Sequence, residues 1–183
     1  MSLSLVMFVK LYIKNKFFLL SQLRYYVNVK AHKLFYSAHI LSHVNYASTL
    51  WDGFSEVHLK KKMNSPHRRA AKLILSDPSV PTDDKLKTLK LLPLTKQLKY
   101  NKAVMMFKVR NGKTPEYIRS LFTRSSSRYG PNNFIPPRPR IDLYKTSLAF
   151  SGSSVWNSLP LSLKHLRTIR CFKRHLHRHL SSI

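Results

Sequence analysis

An excess of positive charge is the feature that most constrains what this chain can fold into. The chain has 33 Lys and Arg residues against 7 Asp and Glu, a formal net charge of +26 at pH 7. Six of the cations lie in residues 1–50, six in 51–80, ten in 81–120, five in 121–150 and six in 151–183. No single tail carries the charge, so a folded surface has to present it.

This charge balance predicts a polyanionic partner. Nucleic acid is the first candidate, and an anionic membrane surface is the second. Hydrophobic residues make up 43% of the chain, which is enough for a core, so wholesale disorder is not expected. Cys171 is the only cysteine, which excludes an intrachain disulfide and a cysteine zinc site. We expect Cys171 to be a small packing residue in a reducing compartment.

Apolar residues recur at helical spacing along most of the chain, which predicts a mainly α fold, an irregular helical bundle. The first clear helix has Asn28 as its predicted N-cap. Its predicted buried face consists of Val27, Ala31, Leu34, Ala38 and Leu41. After it, we expect Tyr46, Leu50 and Trp51 in the core, although Trp51 is also a candidate for stacking on a base.

The next helical pattern is interrupted by a proline. Pro66 lies in the middle of residues 59–73, where it lacks a backbone N–H and its ring clashes with the preceding turn, at about 3 kcal/mol. We therefore expect two short helices with a break near residues 64–66. A longer helix is predicted over residues 94–110, buried on two sides and ending at the Asn111-Gly112 pair.

The two ends of the chain have different patterns. Residues 3–13 are apolar apart from Ser4 and Lys10, residues 17–20 are apolar again, and Lys14 and Lys16 separate the two runs. Neither run is long enough for a membrane span, so we expect residues 1–20 to form a helix that packs on a core; an edge that has lost its partner is the alternative. Residues 124–139 are rich in Pro, Ser and Arg, which is typical of a linker that is either solvated or ordered by RNA or DNA. Residues 143–150 are expected to be extended, and a basic amphipathic helix with Phe172 and Leu176 on its buried side is expected to close the chain.

Carboxylates suited to catalysis are sparse. Asp83-Asp84 is the only adjacent acidic pair, and it precedes a predicted helix, where capping explains it better than metal-ion catalysis. His175, His177 and His179 lie in the last helix, but only the first and third share a face. We expect a basic helix face there rather than a metal site, and we predict no cofactor, no small-molecule substrate and no enzyme activity.

Five segments occur in an order that resembles the region after the polymerase palm in LINE-type (non-LTR) retrotransposon reverse transcriptases. They cover about residues 14–180. The segments are His43-Val44-Asn45-Tyr46 with Leu50-Trp51-Asp52-Gly53; His67 to Ile74; Leu91-Leu92-Pro93-Leu94; Gly112 with Pro115-Glu116-Tyr117 and Leu121-Phe122; and Phe150 to Pro160, where Gly152 is expected in a turn, followed by Phe172 to Leu180. Pro66 departs from the family pattern, as in a decayed copy, and residues 1–13 match no part of it.

The resemblance implies a non-catalytic thumb-like region that grips RNA or DNA beside a polymerase core. The expected divisions are an N-terminal helix (1–26), a helical thumb-like region (27–123), a basic linker (124–142) and a C-terminal module (143–183), docked back by Trp156 and Phe172. Backbone phosphates would be contacted without sequence readout. The predicted contact residues are Lys60, Lys61, Lys62, Arg68, Arg69, Lys72, Lys96, Lys99, Lys102, Arg138, Arg140, Lys173, Arg174 and Arg178.

Two alternatives stay open at this point. One is a structural relic of a transposon reading frame that has lost the polymerase core against which it packed. The other is a basic membrane-surface protein, suggested by the apolar and basic N-terminus. Neither a secretory signal nor a membrane-spanning segment is expected, so the predicted location is nuclear or cytoplasmic.

Overall fold

The computed structural model describes residues 14–46, 48–51, 57–125, 130 and 132–182; the side chains of residues 50, 51, 57–63 and 143 lie outside that description. The prediction of a mainly α fold is confirmed. In chain order the elements are α1 (14–23), α2 (Val29–Tyr36), a π-helical segment (Ser37–Leu41), α3 (Ser42–Asn45), α4 (Ser48–Trp51), α5 (Val57–Ile74), α6 (Thr82–Thr88), α7 (Leu94–Arg110), α8 (Glu116–Arg119), β1 (Thr123–Arg124), β2 (Phe134–Ile135), α9 (Asp142–Lys145), α10 (Leu148–Asn157), α11 (Leu161–Lys164) and α12 (Ile169–Ser182).

The chain forms two compact units. Unit 1 comprises residues 1–46 and 59–94, and unit 2 comprises residues 47–58 and 95–183. These limits do not coincide with the divisions expected from the sequence after residues 26, 123 and 142. Residues 124–142 belong to unit 2, where β1 and β2 form a two-residue antiparallel ladder that the sequence did not predict.

The predicted buried face of α2 and its continuation was wrong. Leu34 is 69% exposed, whereas Tyr36 and Ile40 are fully buried. His32 is also buried, and its Nε2 lies 2.6 Å from the carbonyl oxygen of Leu20. Because the π-helical segment widens the turn, residues four apart stay on one side of the helix. The side of the helix that packs on the core of unit 1 thus carries the polar side chains of His32 and Tyr36 as well as the apolar side chain of Ile40.

Two further expectations in unit 1 were wrong. The helix is not broken at Pro66: α5 runs without interruption from Val57 to Ile74. Side chains just after the proline, including those of Ala70 and Ala71, are buried in the core of unit 1, and this packing offsets the loss of one helical hydrogen bond. Tyr46 is 79% exposed instead of buried. Leu50 and Trp51, also expected in the core, have side chains outside the described part of the chain.

The start of unit 1 agrees with the expected packed helix as far as it is described. Residues 14–23 are helical and bury Phe17 and Leu20, while residues 1–13 lie outside the described residues. Asn28 is the N-cap of α2, as predicted, and its Oδ1 accepts the N–H of Ala31 at 2.9 Å. The α1–α2 corner is therefore fixed by a cap that the sequence alone identified.

Unit 2 is built around α7. This helix has the predicted limits, and Gly112 follows it with a φ of 66°, a left-handed conformation that suits glycine. The ring of Phe107 stacks on Phe172 at 4.4 Å between centroids, and Trp156 lies 5.9 Å from Phe172. Docking of the C-terminal module through Trp156 and Phe172 is thereby confirmed.

The segment before Trp156 was predicted incorrectly. Residues 143–150 are not extended, since α9 and α10 occupy this region. Gly152 is not in a turn but inside α10, where it is buried. A Cβ at this position would lie 3.0 Å from Sδ of Met106 and 3.2 Å from Cδ1 of Leu148. Glycine is used here so that α10 can approach α7 closely.

Candidate nucleic-acid interface

Helix α12 presents a basic surface on an apolar anchor. Phe172, Leu176 and Leu180 are buried on one side of the helix. The exposed cations are Arg170, Lys173, Arg174 and Arg178, and the helix contains no acidic residue. The buried residues are four apart and the cations are three or four apart, so each set forms a stripe on its own side of the helix. Burial of the apolar stripe thus fixes where the cations point.

Helix α7 lies beside α12 in the antiparallel sense. Phe107 contacts Phe172. About two turns earlier on α7, the ring of Tyr100 meets the ring of His177, which is later on α12, edge-on at 6.3 Å. Lys96 is one helical turn before Tyr100 and is half-exposed. Positions one turn apart share a face, so the side of α7 that carries Lys96 borders the side of α12 that carries the histidine.

The three lysines predicted on α7 do not form one exposed stripe. Lys99 is exposed and Lys96 is half-exposed, but Lys102 is only 6% exposed. The spacing of three residues rotates each successive lysine around the helix, and the third reaches the buried side of unit 2. Lys102 is therefore removed from the predicted surface contacts.

Two histidine side chains of α12, those of His175 and His177, contact groups on their own helix or on α7. The Nδ1 atom of His175 donates to the carbonyl oxygen of Cys171 at 2.9 Å. Ser181 donates its hydroxyl to the carbonyl oxygen of His177 at 2.8 Å. Within the described residues, no group of three or more His, Cys, Asp or Glu side chains is arranged to hold a metal ion.

Unit 1 contains a separate basic groove on α5. Its volume is about 500 Å³, and it is lined by Asn64, Ser65, Arg68, Arg69 and Lys72. Arg68 approaches a carboxylate oxygen of Asp83 at 3.8 Å, and the guanidinium of Arg69 lies 5.5 Å from the ring centroid of Phe17. Three predicted contact residues therefore do come together. Lys60, Lys61 and Lys62 are on the same helix, with side chains outside the described part.

The acidic pair Asp83-Asp84 lies in the first turn of α6. The N-cap is Pro81, without a side-chain cap, so the predicted capping by these carboxylates is not what the structure has. Asp84 instead accepts from Nζ of Lys87 at 3.0 Å, and Asp83 faces Arg68. Both carboxylates also lie near the positive end of the helix dipole, which favours negative charge.

The Trp156-Asn157 pair is structural. The side chain of Asn157 accepts the N–H of Phe134 at 3.0 Å and donates to the carbonyl oxygen of Phe134 at 2.8 Å. The indole N–H of Trp156 donates to the carbonyl oxygen of Asn132 at 2.8 Å. Three hydrogen bonds thus hold the strand β2 and the turn before it against the end of α10.

A group of cations that the sequence did not single out surrounds this contact. Lys164 is 2% exposed, and its Nζ donates to Oδ1 of Asn133 and to the carbonyl oxygen of Asn157, each at 2.9 Å. Arg110 donates to the carbonyl oxygen of Lys164 and, at 2.7 Å, to Oδ1 of Asn132. Nothing in the local sequence distinguishes these cations, because the chain positions are brought together only by folding.

Burial perturbs both cations. It lowers the pKa of Lys164, and the charge of Arg110 adds to this effect. Burial likewise lowers the pKa of Arg110, with a contribution from the charge of Arg124. Both shifts disfavour the charged form, as expected where desolvation and like charges act together.

The other predicted contact residues lie at the surface of unit 2. Arg138 and Arg140 are exposed in the irregular segment between β2 and α9.

Comparison of the chain with protein-family models, with curated proteins and with solved structures gave no match. Among the helices of the described residues, none combines the length and the apolar character needed to cross a membrane.

Proposed function

We propose that this chain binds the sugar–phosphate backbone of RNA or DNA through the exposed cations of α12 and the neighbouring side of α7. The observation that carries the proposal is α12 itself, whose apolar side is buried and whose other side presents Arg170, Lys173, Arg174 and Arg178 without any acidic residue. Cations on a rigid helix contact phosphates and give affinity without reading bases.

The charge of residues 95–183, the larger part of unit 2, supports the same interpretation. Residues 95–183 contain 18 Lys and Arg but only two acidic residues, Glu116 and Asp142. Each of these carboxylates is paired with a cation of its own short helix, Arg119 and Lys145 respectively. Neither pair involves α12, so its positive field remains available to steer a polyanion.

The order of sequence segments gives the proposal its biological setting. We infer that the chain corresponds to the thumb and post-palm region of a LINE-type reverse transcriptase, where it would hold template RNA or target DNA beside the catalytic core. In this role the chain binds the nucleic acid and supplies no catalytic group. The Trp156-Asn157 part of the resemblance would serve folding, since both side chains bond to the backbone of residues 132–134.

The test is a titration of labelled single-stranded RNA with the full chain at salt concentrations between 50 and 200 mM. The variant K173Q/R174Q/R178Q removes three cations from α12. If each contacts one phosphate, the slope of log affinity against log salt should fall by about 2, since each contact to a single strand contributes about 0.7. The control K30Q/K87Q/K113Q removes three exposed cations elsewhere and should leave most of the slope.

Two results would contradict the proposal. Binding that is absent or independent of salt would exclude a phosphate interface. Equal losses from the two triple variants would show that only the total charge matters. Circular dichroism of each variant serves as the check that it is folded.

A second candidate function is packing against a polymerase core, and it rests on apolar side chains at the surface of unit 1. Phe18 is 64% exposed, Tyr25 75%, Tyr26 83% and Leu34 69%. Exposed aromatic and aliphatic groups in such number are typical of a surface that meets another protein. An aggregated chain in the titration above would favour this candidate, whereas a monomeric folded chain that binds RNA would favour the first.

A further inference from the structure

Three cations of unit 2 are linked through neutral groups only. Arg124 donates to the carbonyl oxygen of Arg110, Arg110 donates to the carbonyl oxygen of Lys164, and Lys164 donates to Asn133 and Asn157. All of these acceptors are amide or carbonyl oxygens. The cluster of Arg110, Arg124 and Lys164, called the cation cluster below, thus contains three positive charges joined without a carboxylate.

The described acidic residues of this unit do not neutralise the cation cluster. Glu116 is paired with Arg119, and Asp142 is paired with Lys145. Buried or half-buried cations normally have an anionic partner, because desolvation penalises a charge that lacks one. Here the lowered pKa values of Lys164 and Arg110 register that penalty. An anion bound from solution would supply the missing charge.

The geometry favours a phosphate group as this anion. Arg124 is exposed, Arg110 is half-buried, and Lys164 is only 2% exposed, so the cluster runs from the surface into the interior of the unit. The Arg110 guanidinium is held in place by Asn132 and by the ring of Trp156, whose centroid is 5.9 Å away. Guanidinium groups suit the oxygens of a phosphate, and a buried ammonium in the same hydrogen-bonded cluster adds positive charge without needing direct contact.

We propose that the cation cluster is a binding site for one phosphate group. Arg124 and Arg110 donate to the phosphate oxygens, and Lys164 provides a buried positive charge. This inference rests on the proposed function, because the phosphate it expects is one of the nucleic-acid backbone. It deepens that function by naming one phosphate contact point apart from the exposed cations of α12.

The test uses the full chain with R124Q, since Arg124 is exposed and its loss leaves the contacts of Arg110 with Asn132 and Lys164 in place. R119Q is the control, because it removes the same charge from an exposed position of the same unit. Loss of one phosphate contact should lower the salt slope of RNA binding by about 0.7, so the affinity deficit of R124Q should shrink about 2.6-fold between 50 and 200 mM salt. R119Q should leave the slope close to that of the wild type.

A second measurement does not depend on RNA. Inorganic pyrophosphate should raise the Tm of the wild type and of R119Q more than that of R124Q, because a ligand that binds only the folded state stabilises it. If R124Q had the same salt slope of RNA binding as the wild type and the same rise in Tm with pyrophosphate, the phosphate site would be overturned while the RNA interface of α12 would remain intact. If pyrophosphate stabilised the chain only when Arg124 is present, and the chain failed to bind RNA, the phosphate site would be supported and the proposed function contradicted.

Discussion

Replacement of Asn157 by alanine tests whether the most distinctive sequence motif of the chain serves the fold. The Asn157 side chain satisfies both backbone groups of Phe134, accepting from its N–H at 3.0 Å and donating to its carbonyl oxygen at 2.8 Å. Phe134 is only 1% exposed, so water has poor access to these groups once the amide is removed. Asn157→Ala should therefore leave one donor and one acceptor without partners.

The expected loss of stability follows from those two groups. A buried polar group without a partner costs about 1–3 kcal/mol, so the loss of partners for two such groups should lower the free energy of unfolding by about 2–6 kcal/mol. For a chain of this length about 1 kcal/mol corresponds to 2–4 °C in Tm, which gives a decrease of about 5–25 °C. Urea denaturation followed by circular dichroism at 222 nm and by tryptophan fluorescence measures both quantities.

A matched control lies one residue further along. Ser158 is exposed, and its hydroxyl donates to the carbonyl oxygen of Val155 within the same helix end. Ser158→Ala should change the free energy of unfolding by no more than about 0.5 kcal/mol. If Asn157→Ala were as mild as this control, the two hydrogen bonds to Phe134 would not hold β2 in place, and the structural interpretation of the motif would be refuted.

The remaining predictions concern one buried histidine and one glycine. Burial lowers the pKa of His67, so the unfolded state takes up its proton first and stability should fall as the pH decreases below about 6.5. The variant H67Q removes the imidazole, whose Nδ1 lies 2.6 Å from the Tyr36 hydroxyl. The decrease in the free energy of unfolding from pH 7.5 to pH 5.5 should therefore be smaller in H67Q than in the wild type. An equal decrease in both proteins would contradict the prediction. Gly152→Val should lower the free energy of unfolding by about 1–3 kcal/mol, because the added atoms would enter the space of Met106, whereas exposed Ser154→Val should cost much less in a thermal melt.

The elements that the sequence predicted well are those in which one residue determines the local backbone. Asn28 caps α2 because its short side chain reaches a free N–H three residues on. Gly112 ends α7 because a φ of 66° is unfavourable for other residues. The buried stripe of α12 was also predictable, since every apolar residue on it is large and no polar residue competes for the same face.

Elements that depend on partners elsewhere in the chain were predicted incorrectly. The buried face of α2 could not be recognised because His32 and Tyr36 are tolerated inside only through hydrogen bonds to Leu20 and His67. Continuation of α5 through Pro66 depends on the burial of the residues that follow it, which local propensity does not include. The two-residue ladder of β1 and β2 is likewise held by Asn157 from a distant helix.

The candidate site divides in the same way. The sequence by itself determined that the chain is basic throughout and that α12 has a cationic side, because charge and helical period are local properties. Tertiary structure decided which cations reach the surface: it buried Lys102, exposed Lys99 and assembled Arg110, Arg124 and Lys164 from separate elements. The physical reason is that exposure and clustering depend on which faces of the helices pack together, and packing is a property of the whole core.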